Sequence, residues 1–434
     1  MDREFLRQLK GFYESELTNW ILPFWMERSI DSEHGGFFNC FDNSGAHLLS
    51  RDKYTWSQGR FVWLFSRLAD MRGGLFTGTQ RAEFLEIARK GAEFLRKNCL
   101  LAEDDWRCVF LMNEAGDHKL PVGCNTLDQS IFADCFVVCG SARFALAAGN
   151  EEYYTFAKRL YLSCKERIQQ ELFQTLPYPL PGEFRAHSIP MIMLNTAEEM
   201  YYSASALDKG FCRELLSDIS NCCADIRTNF TDDSGVIHEV IRKRDGFFKE
   251  LLGEHANPGH TLEDMWFIAD AADILGDEAL YSYAARTATR ALEIGWDEPY
   301  GGLLHYSSTT GGPPSAAAAG QAEAMEKQVT GGWGDKLWWV HAEALYTTLR
   351  FALREDNPVL LAWHQRVFDY TFTRFPNPDT ETREWIQILR RDGTPQEKVV
   401  ALPVKDPYHI IRALILLIEL LSKTETSGKS GKVE

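Results

Sequence analysis

The 434-residue sequence is short of the features that mark membrane, secreted and nucleic-acid-binding proteins. No run approaches the roughly 18 consecutive apolar residues that a transmembrane helix needs, and the N-terminal stretch lacks the apolar core of a signal peptide. Lys and Arg number 46 against 62 Asp and Glu, for a net charge of −16. Such a surface repels phosphate backbones and anionic lipid. We therefore expect a cytoplasmic protein without nucleic-acid or membrane partners.

Local motifs for metals, nucleotides and nucleophilic catalysis are missing as well. The ten cysteines include no CxxC pair, which favours buried free thiols over disulfides or a metal site. The chain has no HxxxH or HExxH pattern, no GxGxxG turn, no GxxxxGK[ST] phosphate loop and no GxSxG elbow. The sequence therefore predicts no metal site and directs attention to less local arrangements of side chains.

Helical periodicity dominates what is present. Apolar residues recur at i, i+3, i+4 and i+7 in twelve segments separated by turn signals. The predicted helices span 2–27, 54–72, 79–99, 126–148, 150–174, 190–207, 209–229, 261–275, 277–294, 335–355, 358–374 and 407–424. Tight turns alternate with long loops, whose short apolar runs between Gly- and Asp-rich turns predict β-hairpins. These hairpins are expected at 31–45, 106–117, 235–246, 297–308 and 383–393.

Twelve helices paired in this way predict an all-α (α/α)6 barrel with short β-hairpins in the long loops. Six inner helices would be ringed by six outer ones, with a cavity at the end where the inner helices begin. An open α-solenoid is the alternative. We expect a single domain over 1–422, a flexible Gly- and Ser-rich loop at 307–332 and a disordered tail at 423–434.

Two helices begin with the same local pattern. NPGH at 257–260 and DPYH at 406–409 each place a capping residue, a proline and then a histidine in the first turn. The partial positive charge of a helix N-terminus disfavours an imidazolium, so His260 and His409 are expected as neutral rings that can accept a proton. Glu263 follows one turn after His260 and is placed to orient its ring. The alternative is that both histidines are ordinary polar surface residues.

Tryptophans accompany polar side chains in two further segments. Trp56, Arg60 and Trp63 share one face of the helix at 54–72, where the arginine is either a buried ion-pair partner or a ligand clamp. The stretch KLWWVHAEALY combines aromatic rings with polar groups; its candidates are Trp338, Trp339, His341 and Glu343. Sugars suit such surroundings, because their CH faces stack on rings while their hydroxyls find polar partners.

At these residues the chain resembles a known family. The motifs KYTWSQGRFVW, NPGHTLE, LWWVHAE and YHIIR, in this order, resemble the N-acylglucosamine 2-epimerase family over roughly residues 5–420. Cellobiose 2-epimerases and mannose-acting aldose–ketose isomerases belong to the same superfamily. The resemblance implies an (α/α)6 barrel, a small sugar as substrate, no required cofactor and a homodimer. Some relatives respond to a nucleotide, which makes ATP a candidate effector, although no phosphate loop supports it.

The resemblance also implies roles for individual residues. His260 and His409 resemble the two acid/base histidines, Arg60 resembles the arginine that contacts sugar oxygens, and Glu263 resembles the carboxylate after the first histidine. The expected substrate-binding residues are Trp56, Asn195, Trp338, His341, Glu343 and Trp385.

The activity expected from this resemblance is epimerisation of an aldose at C2. One histidine would remove the C2 proton, an enediolate would form, and the other histidine would return a proton to the opposite face. An aldose–ketose isomerase using the same site is the nearest alternative. An (α/α)6 glycoside hydrolase with two facing carboxylates and a non-catalytic sugar-binding protein are the others. The sequence leaves open whether the sugar is N-acetylated, free or a disaccharide.

Overall fold

The computed structural model describes residues 3–427, of which 425–427 are described by their backbone alone. The protein is mostly helical, at 57%, with few short strands. The first helical segment comprises α1 (Arg3–Ser15), a π-helical turn (Glu16–Ile21) and α2 (Leu22–Arg28). The remaining long helices are α3 (Thr55–Ala69), α4 (Gly78–Asn98), α5 (Ile131–Ala148), α6 (Glu151–Gln169), α7 (Ser188–Leu207), α8 (Cys212–Asp225, extended by a π-helical turn to Phe230), α10 (Pro258–Leu275), α11 (Glu278–Gly295), α13 (Trp338–Glu355), α14 (Pro358–Arg374) and α15 (Tyr408–Ser427). Two shorter helices are α9 (Leu251–Glu254) and α12 (Glu323–Gly332).

Helix ends follow from local side-chain chemistry. Asn150 and Asp277 cap α6 and α11, because each side chain accepts a hydrogen bond from a backbone N–H in the first turn. Gly149 and Gly276 end α5 and α10 at φ of 63° and 71°, where a side chain would be strained. Helix α5 is therefore joined to α6, and α10 to α11, by a turn of only two residues.

Four predicted segments differ from the structure. Helix α6 ends at Gln169 and not at 174. Helix α5 begins at Ile131 and not at 126, because Ser130 is extended and bridges to Thr175. Part of the 307–332 segment forms α12 and is not a loop, and the Glu326 carboxylate accepts hydrogen bonds from the backbone that approaches the helix. Helix α15 continues to Ser427, and residues 428–434 of the predicted tail lie outside the described residues.

Helix packing places six helices around a centre. Each helix contacts the next in the order α3, α5, α7, α10, α13 and α15, and α15 contacts α3 again. Each of these six also packs mainly against one other helix; the pairs are α3 with α4, α5 with α6, α7 with α8, α10 with α11, α13 with α14 and α15 with α1. Helix α5 has the length and the apolar composition of a membrane-spanning helix, but 78% of it is buried among its neighbours.

The strands tie the long loops together at the end where the six central helices begin. The twelve strands of the described residues are β1 (Cys40–Phe41), β2 (Leu48–Ser50), β3 (Lys53–Tyr54), β4 (Leu100–Ala102), β5 (Asp105–Cys108), β6 (Leu111–Met112), β7 (Phe184–Ala186), β8 (Val240–Arg242), β9 (His255–Ala256), β10 (Ser307–Ser308), β11 (Lys336–Leu337) and β12 (Ile388–Leu389). They form six antiparallel pairs.

The predicted local hairpins occur as single antiparallel bridges, such as Ile30 with Phe37, Met112 with His118 and Trp296 with Leu303. Four of the six strand pairs, which the sequence did not predict, join separate loops instead. The pairs β3–β6, β7–β8, β9–β10 and β11–β12 each join the loop before one central helix to the loop before the next. Pairing between loops satisfies backbone groups that a helix cannot, and it fixes the helix starts relative to one another. The pairs β1–β2 and β4–β5 are local hairpins.

The ten cysteines are free thiols, as predicted. Seven of them are buried, and none is within the cavity described below. Burial raises the pKa of Cys40 to about 12, so this thiol is unreactive at neutral pH.

Candidate active site

A cavity of about 250 Å³ opens where the six central helices begin. Its wall takes residues from the N-terminal halves of all six; they are Trp56 and Arg60 of α3, Phe132 and Phe136 of α5, Asn195 of α7, His260 and Glu263 of α10, Trp338 and Trp339 of α13, and His409 and Arg412 of α15. Loop residues such as Glu239, His305 and Asp406 complete it. Aromatic rings beside a few polar groups suit a small polar ligand with apolar faces.

His260 is held by its helix start and by a carboxylate. The Asn257 side chain accepts a hydrogen bond from the His260 backbone N–H at 3.1 Å and so caps α10 as predicted. His260 Nδ1 lies 2.9 Å from Oε2 of buried Glu239. Because an ionised carboxylate only accepts hydrogen bonds, Nδ1 carries the proton of a neutral ring. Nε2, without a protein partner among the described residues, is then the nitrogen that can take a proton.

His409 is arranged in the same way on α15. Its Nδ1 lies 2.8 Å from Oε1 of Glu343, and the ring is almost fully buried. Burial lowers the pKa of His409 to about 3; nearby Glu263 opposes this, and the Arg60 and Arg412 cations add to it. His409 is therefore neutral at pH 7, as predicted, but burial and the two cations account for this, not the helix N-terminus.

Arg60 is an ion-pair partner, one of the two predicted alternatives, and it also lines the cavity. Nη1 donates to Oδ2 of Asp406, whose Oδ1 accepts from the backbone of Tyr408 at 2.7 Å and caps α15. The guanidinium lies over the rings of Trp56, Phe136 and Tyr408 at 4.2–5.2 Å. The charge is thus fixed beside the space that a ligand would occupy.

Trp339 links the two histidines. Its ring centroid lies 5.3 Å from that of His260 and 5.7 Å from that of His409. Trp338, the tryptophan predicted from the motif, also lines the cavity and donates from Nε1 to the backbone oxygen of Asp406 at 3.0 Å. Both tryptophans were candidates from the motif, but its spacing gave no reason to expect that Trp339 would be the one that contacts both histidines.

Two further predicted residues present unpaired polar atoms near the cavity. Trp56 and Asn195 both line it, and among the described residues neither Trp56 Nε1 nor Asn195 Oδ1 has a hydrogen-bond partner. A buried polar group without a partner costs free energy, so such atoms mark places where a ligand or water is expected to bind.

Glu263 does not orient His260 as expected. Its carboxylate pairs with Arg412 and lies 3.7 Å from Nδ1 of His409, on the facing helix. The helix directs Glu263 toward α15, while a loop carboxylate, Glu239, approaches His260. The predicted carboxylate is therefore in the site but serves the other histidine.

Three predicted substrate-binding residues do not line the cavity. Glu343 lies behind His409, where it accepts from Nδ1 and from Trp266 Nε1. His341 is fully buried, donates from Nδ1 to Leu337 and accepts the Leu303 N–H at Nε2. Trp385 is 1% exposed, stacks on Phe375 and donates to Glu16.

These three side chains therefore have structural partners at every polar atom that a ligand would use. Spacing alone could not separate a residue facing the cavity from one a turn away facing the next helix.

Three side chains of metal-binding type approach one another within the site. Oxygen or nitrogen atoms of Glu263, Glu343 and His409 all lie within 4.8 Å of one another. Nη2 of Arg412 lies among them, 2.7 Å from Glu343 and in contact with Glu263. A guanidinium already pairs with both carboxylates, so this arrangement is an ion-pair network around His409.

Glu239 and His187 were missed by sequence reasoning. Glu239 interrupts the apolar run VIHEVI, and His187 precedes α7; both are buried. A charged residue within an apolar run is the available signal, because buried charges are usually paired. Nothing in the spacing pointed to His260 as the partner.

Comparison with known proteins decides the family. The family model of N-acylglucosamine 2-epimerase (GlcNAc 2-epimerase) matches residues 36–413. The chain belongs to the N-acylglucosamine 2-epimerase family. The sequence is 29% identical to N-acylglucosamine 2-epimerase of Homo sapiens, over 97% of this chain and 92% of the human protein.

Solved structures share the fold of this family member. The cellobiose 2-epimerase of Bacillus thermoamylovorans B4167 aligns with a TM-score of 0.75 at 18% identity, over 95% of this chain and 99% of that one. A D-mannose isomerase aligns with a TM-score of 0.70 at 15% identity, over 94% and 97%. At these identities the agreement concerns the fold.

Proposed function

We propose that this protein is a sugar 2-epimerase that interconverts aldoses at C2. The substrate would be of the N-acetylglucosamine/N-acetylmannosamine type or a related gluco/manno sugar, in line with the names of its relatives. We further propose that the chain folds as a single (α/α)6 barrel, a reading supported by the cyclic order of contacts among the central helices.

The observation that carries the proposal is the matched pair of histidines. His260 and His409 both line the cavity, and each has Nδ1 hydrogen-bonded to a carboxylate, at 2.9 Å and 2.8 Å. Each Nε2 is thereby left to exchange a proton with a ligand. Inversion at a carbon next to a carbonyl needs two such groups flanking one atom. Glycoside hydrolysis would instead need two facing carboxylates, and Glu263 and Glu343 are both bound by Arg412.

In the proposed reaction the open-chain aldose is bound with C2 between the two rings. The neutral ring removes the C2 proton at Nε2, and negative charge develops on the carbonyl oxygen. The Arg60 guanidinium, fixed by Asp406, would stabilise this enediolate. The second ring, which has taken up a proton from solvent at Nε2 before the reaction begins, then delivers that proton to the opposite face of C2. The two rings exchange roles in the reverse reaction.

Proton transfer of this kind needs only groups that the chain itself supplies. We therefore propose that no cofactor or metal is required, and that full activity survives exhaustive dialysis against EDTA. ATP as an effector, a homodimer and a cytoplasmic location remain predictions. Activity with and without ATP and the sedimentation of the pure protein would test the first two.

A panel of aldoses incubated with the enzyme in D2O and followed by NMR tests the function. The expected result is a 2-epimeric aldose that carries deuterium at C2. A ketose would identify an aldose–ketose isomerase, and a monosaccharide released from an oligosaccharide would identify a hydrolase. Binding without any turnover would indicate a sugar-binding protein.

A further inference from the structure

Four titratable side chains form a continuous hydrogen-bonded row from the interior to the cavity. Nε2 of His187 lies 2.9 Å from Oδ2 of Asp264, and Nδ1 of His187 lies 3.3 Å from Oε1 of Glu239. The other oxygen of Glu239, Oε2, lies 2.9 Å from Nδ1 of His260. His187 and Asp264 are fully buried, and neither lines the cavity.

The row constrains where protons reside. Both ring nitrogens of His187 face carboxylate oxygens, and an ionised carboxylate has no hydrogen to donate. A neutral ring would therefore direct a lone pair at one of the two carboxylates. A doubly protonated His187 avoids this conflict and donates to both sides. It also places one positive charge between two buried carboxyl groups; burial raises the pKa of Asp264, and the hydrogen bond that His187 donates to it opposes that rise.

The electrostatics of the buried groups agree with this arrangement. Burial alone would lower the pKa of His187, but the hydrogen bonds that its ring donates to Asp264 and Glu239 raise it to about 10. Burial would raise the pKa of Glu239, yet His260 and His187 hold it well below its ordinary value. At neutral pH His187 is thus an imidazolium and Glu239 a carboxylate.

We propose that His187 is a positioning residue for epimerisation, which acts through Glu239 on His260. Its fixed positive charge keeps Glu239 ionised and offsets the two carboxylates that would otherwise favour a proton on His260. No proton travels along the row; Nδ1–H of His260 stays bonded to Glu239 while Nε2 exchanges a proton with the sugar. This inference rests on the proposed function, because it assigns a role to His260 in that reaction.

Other groups near the row do not replace His187. Around Glu239 the titratable neighbours are His255, His305 and Tyr306, and burial lowers the pKa of both histidines, so they are neutral. Around Asp264 they are Glu198, Glu263, Cys222, Cys223 and Tyr283. Glu263 is paired with Arg412, and burial raises the pKa of Glu198, both thiols and Tyr283. Among the described residues, His187 is the one cation bonded to Glu239 from the interior side.

The test compares pH profiles of kcat/KM for C2 exchange in the wild type and His187→Gln. Without the imidazolium, the two remaining carboxylates favour the protonated form of His260. The limb of the profile that His260 governs is therefore expected to move to higher pH by roughly one unit, while the other limb stays. An unchanged profile, or a shift to lower pH, would overturn the proposal.

Two variants separate charge from loss of packing. Asp264→Asn removes the opposite charge from the same buried row, and an upward shift like that of His187→Gln would show that disrupted packing is the cause. His364→Gln makes the same substitution at another buried histidine, which bonds to Tyr13 and Thr348 outside the cavity. This control is expected to lower thermal stability without moving either limb.

A spectroscopic measurement does not depend on turnover. In protein labelled with 15N-histidine, the ring signals missing from His187→Gln identify His187. Both nitrogens are expected to carry protons at pH 8, where an ordinary histidine is neutral. A neutral ring there would overturn the proposal. Failure of the proposed function is distinguishable, since the wild type would then form no 2-epimer at any pH.

Discussion

Arg412 of α15 donates from Nη2 to the carboxylate of Glu263 on α10, and each residue lies three positions after one of the two site histidines. The same guanidinium nitrogen lies 2.7 Å from Glu343 of α13. One buried cation therefore connects the starts of three central helices. The separation of His260 and His409 depends on this connection, because each histidine is carried by a helix that the arginine holds.

Arg412→Met is expected to destabilise the protein strongly. The variant leaves two buried carboxylates without their counter-ion, a change that costs about 3–5 kcal/mol in comparable buried pairs. Urea unfolding of the variant and the wild type measures the difference. Arg354→Met is a matched control, because Arg354 forms exposed ion pairs with Asp273 and Glu278 that contribute little. Equal stability of the two variants would contradict the account.

Glu239→Gln is expected to lower kcat by about 10²-fold with a smaller effect on KM. The amide keeps the shape of the side chain but loses the charge that holds Nδ1–H of His260, so the ring orientation and tautomer are no longer fixed. Steady-state kinetics with the identified sugar measure both constants. A variant that retained wild-type kcat would show that His260 does not depend on Glu239.

Arg60→Gln is expected to reduce kcat by about 10²- to 10³-fold, the usual effect of removing a group that stabilises an oxyanion. The variant also leaves Asp406 without its cation, so stability must be measured beside activity. Arg67→Gln serves as the control. Arg67 lies about two turns after Arg60 in α3, and its ion pair with Glu419 is away from the cavity. Loss of activity in both variants would point to a general effect on α3.

Two buried histidines are expected to contribute less stability as the pH falls from about 6.5 to 4. Burial lowers the pKa of His364 to about 4 and that of His341 to about 3, so these two rings bind fewer protons in the folded state than in the unfolded chain in this range. Stability from these neutral rings is present above pH 6.5 and declines below it. The free energy of unfolding is measured at pH 7 and pH 5 for both proteins. Its decrease between these pH values should be about 2 kcal/mol smaller in His364→Gln than in the wild type.

Much of the fold and part of the site were predictable from sequence. Periodicity located all twelve long helices, and the capping pattern located His260 and His409 at the cavity, because both signals are local. Pairing between loops was not predictable, since β7 and β8 are joined across more than fifty residues that carry no shared pattern. Glu239 and His187 were missed for the same reason. Glu263 was assigned to the wrong histidine because spacing along α10 says nothing about which helix it faces.

The measurement that tests the central claim most directly is C2 exchange in D2O by His260→Gln and His409→Gln, starting from each epimer separately. If the two rings flank one carbon, each variant retains one base and exchanges the C2 proton of only one epimer, and the two variants differ in which. Neither should form the other epimer at more than about one hundredth of the wild-type rate. Near-normal interconversion by either variant, or exchange of the same epimer by both, would contradict the two-histidine account.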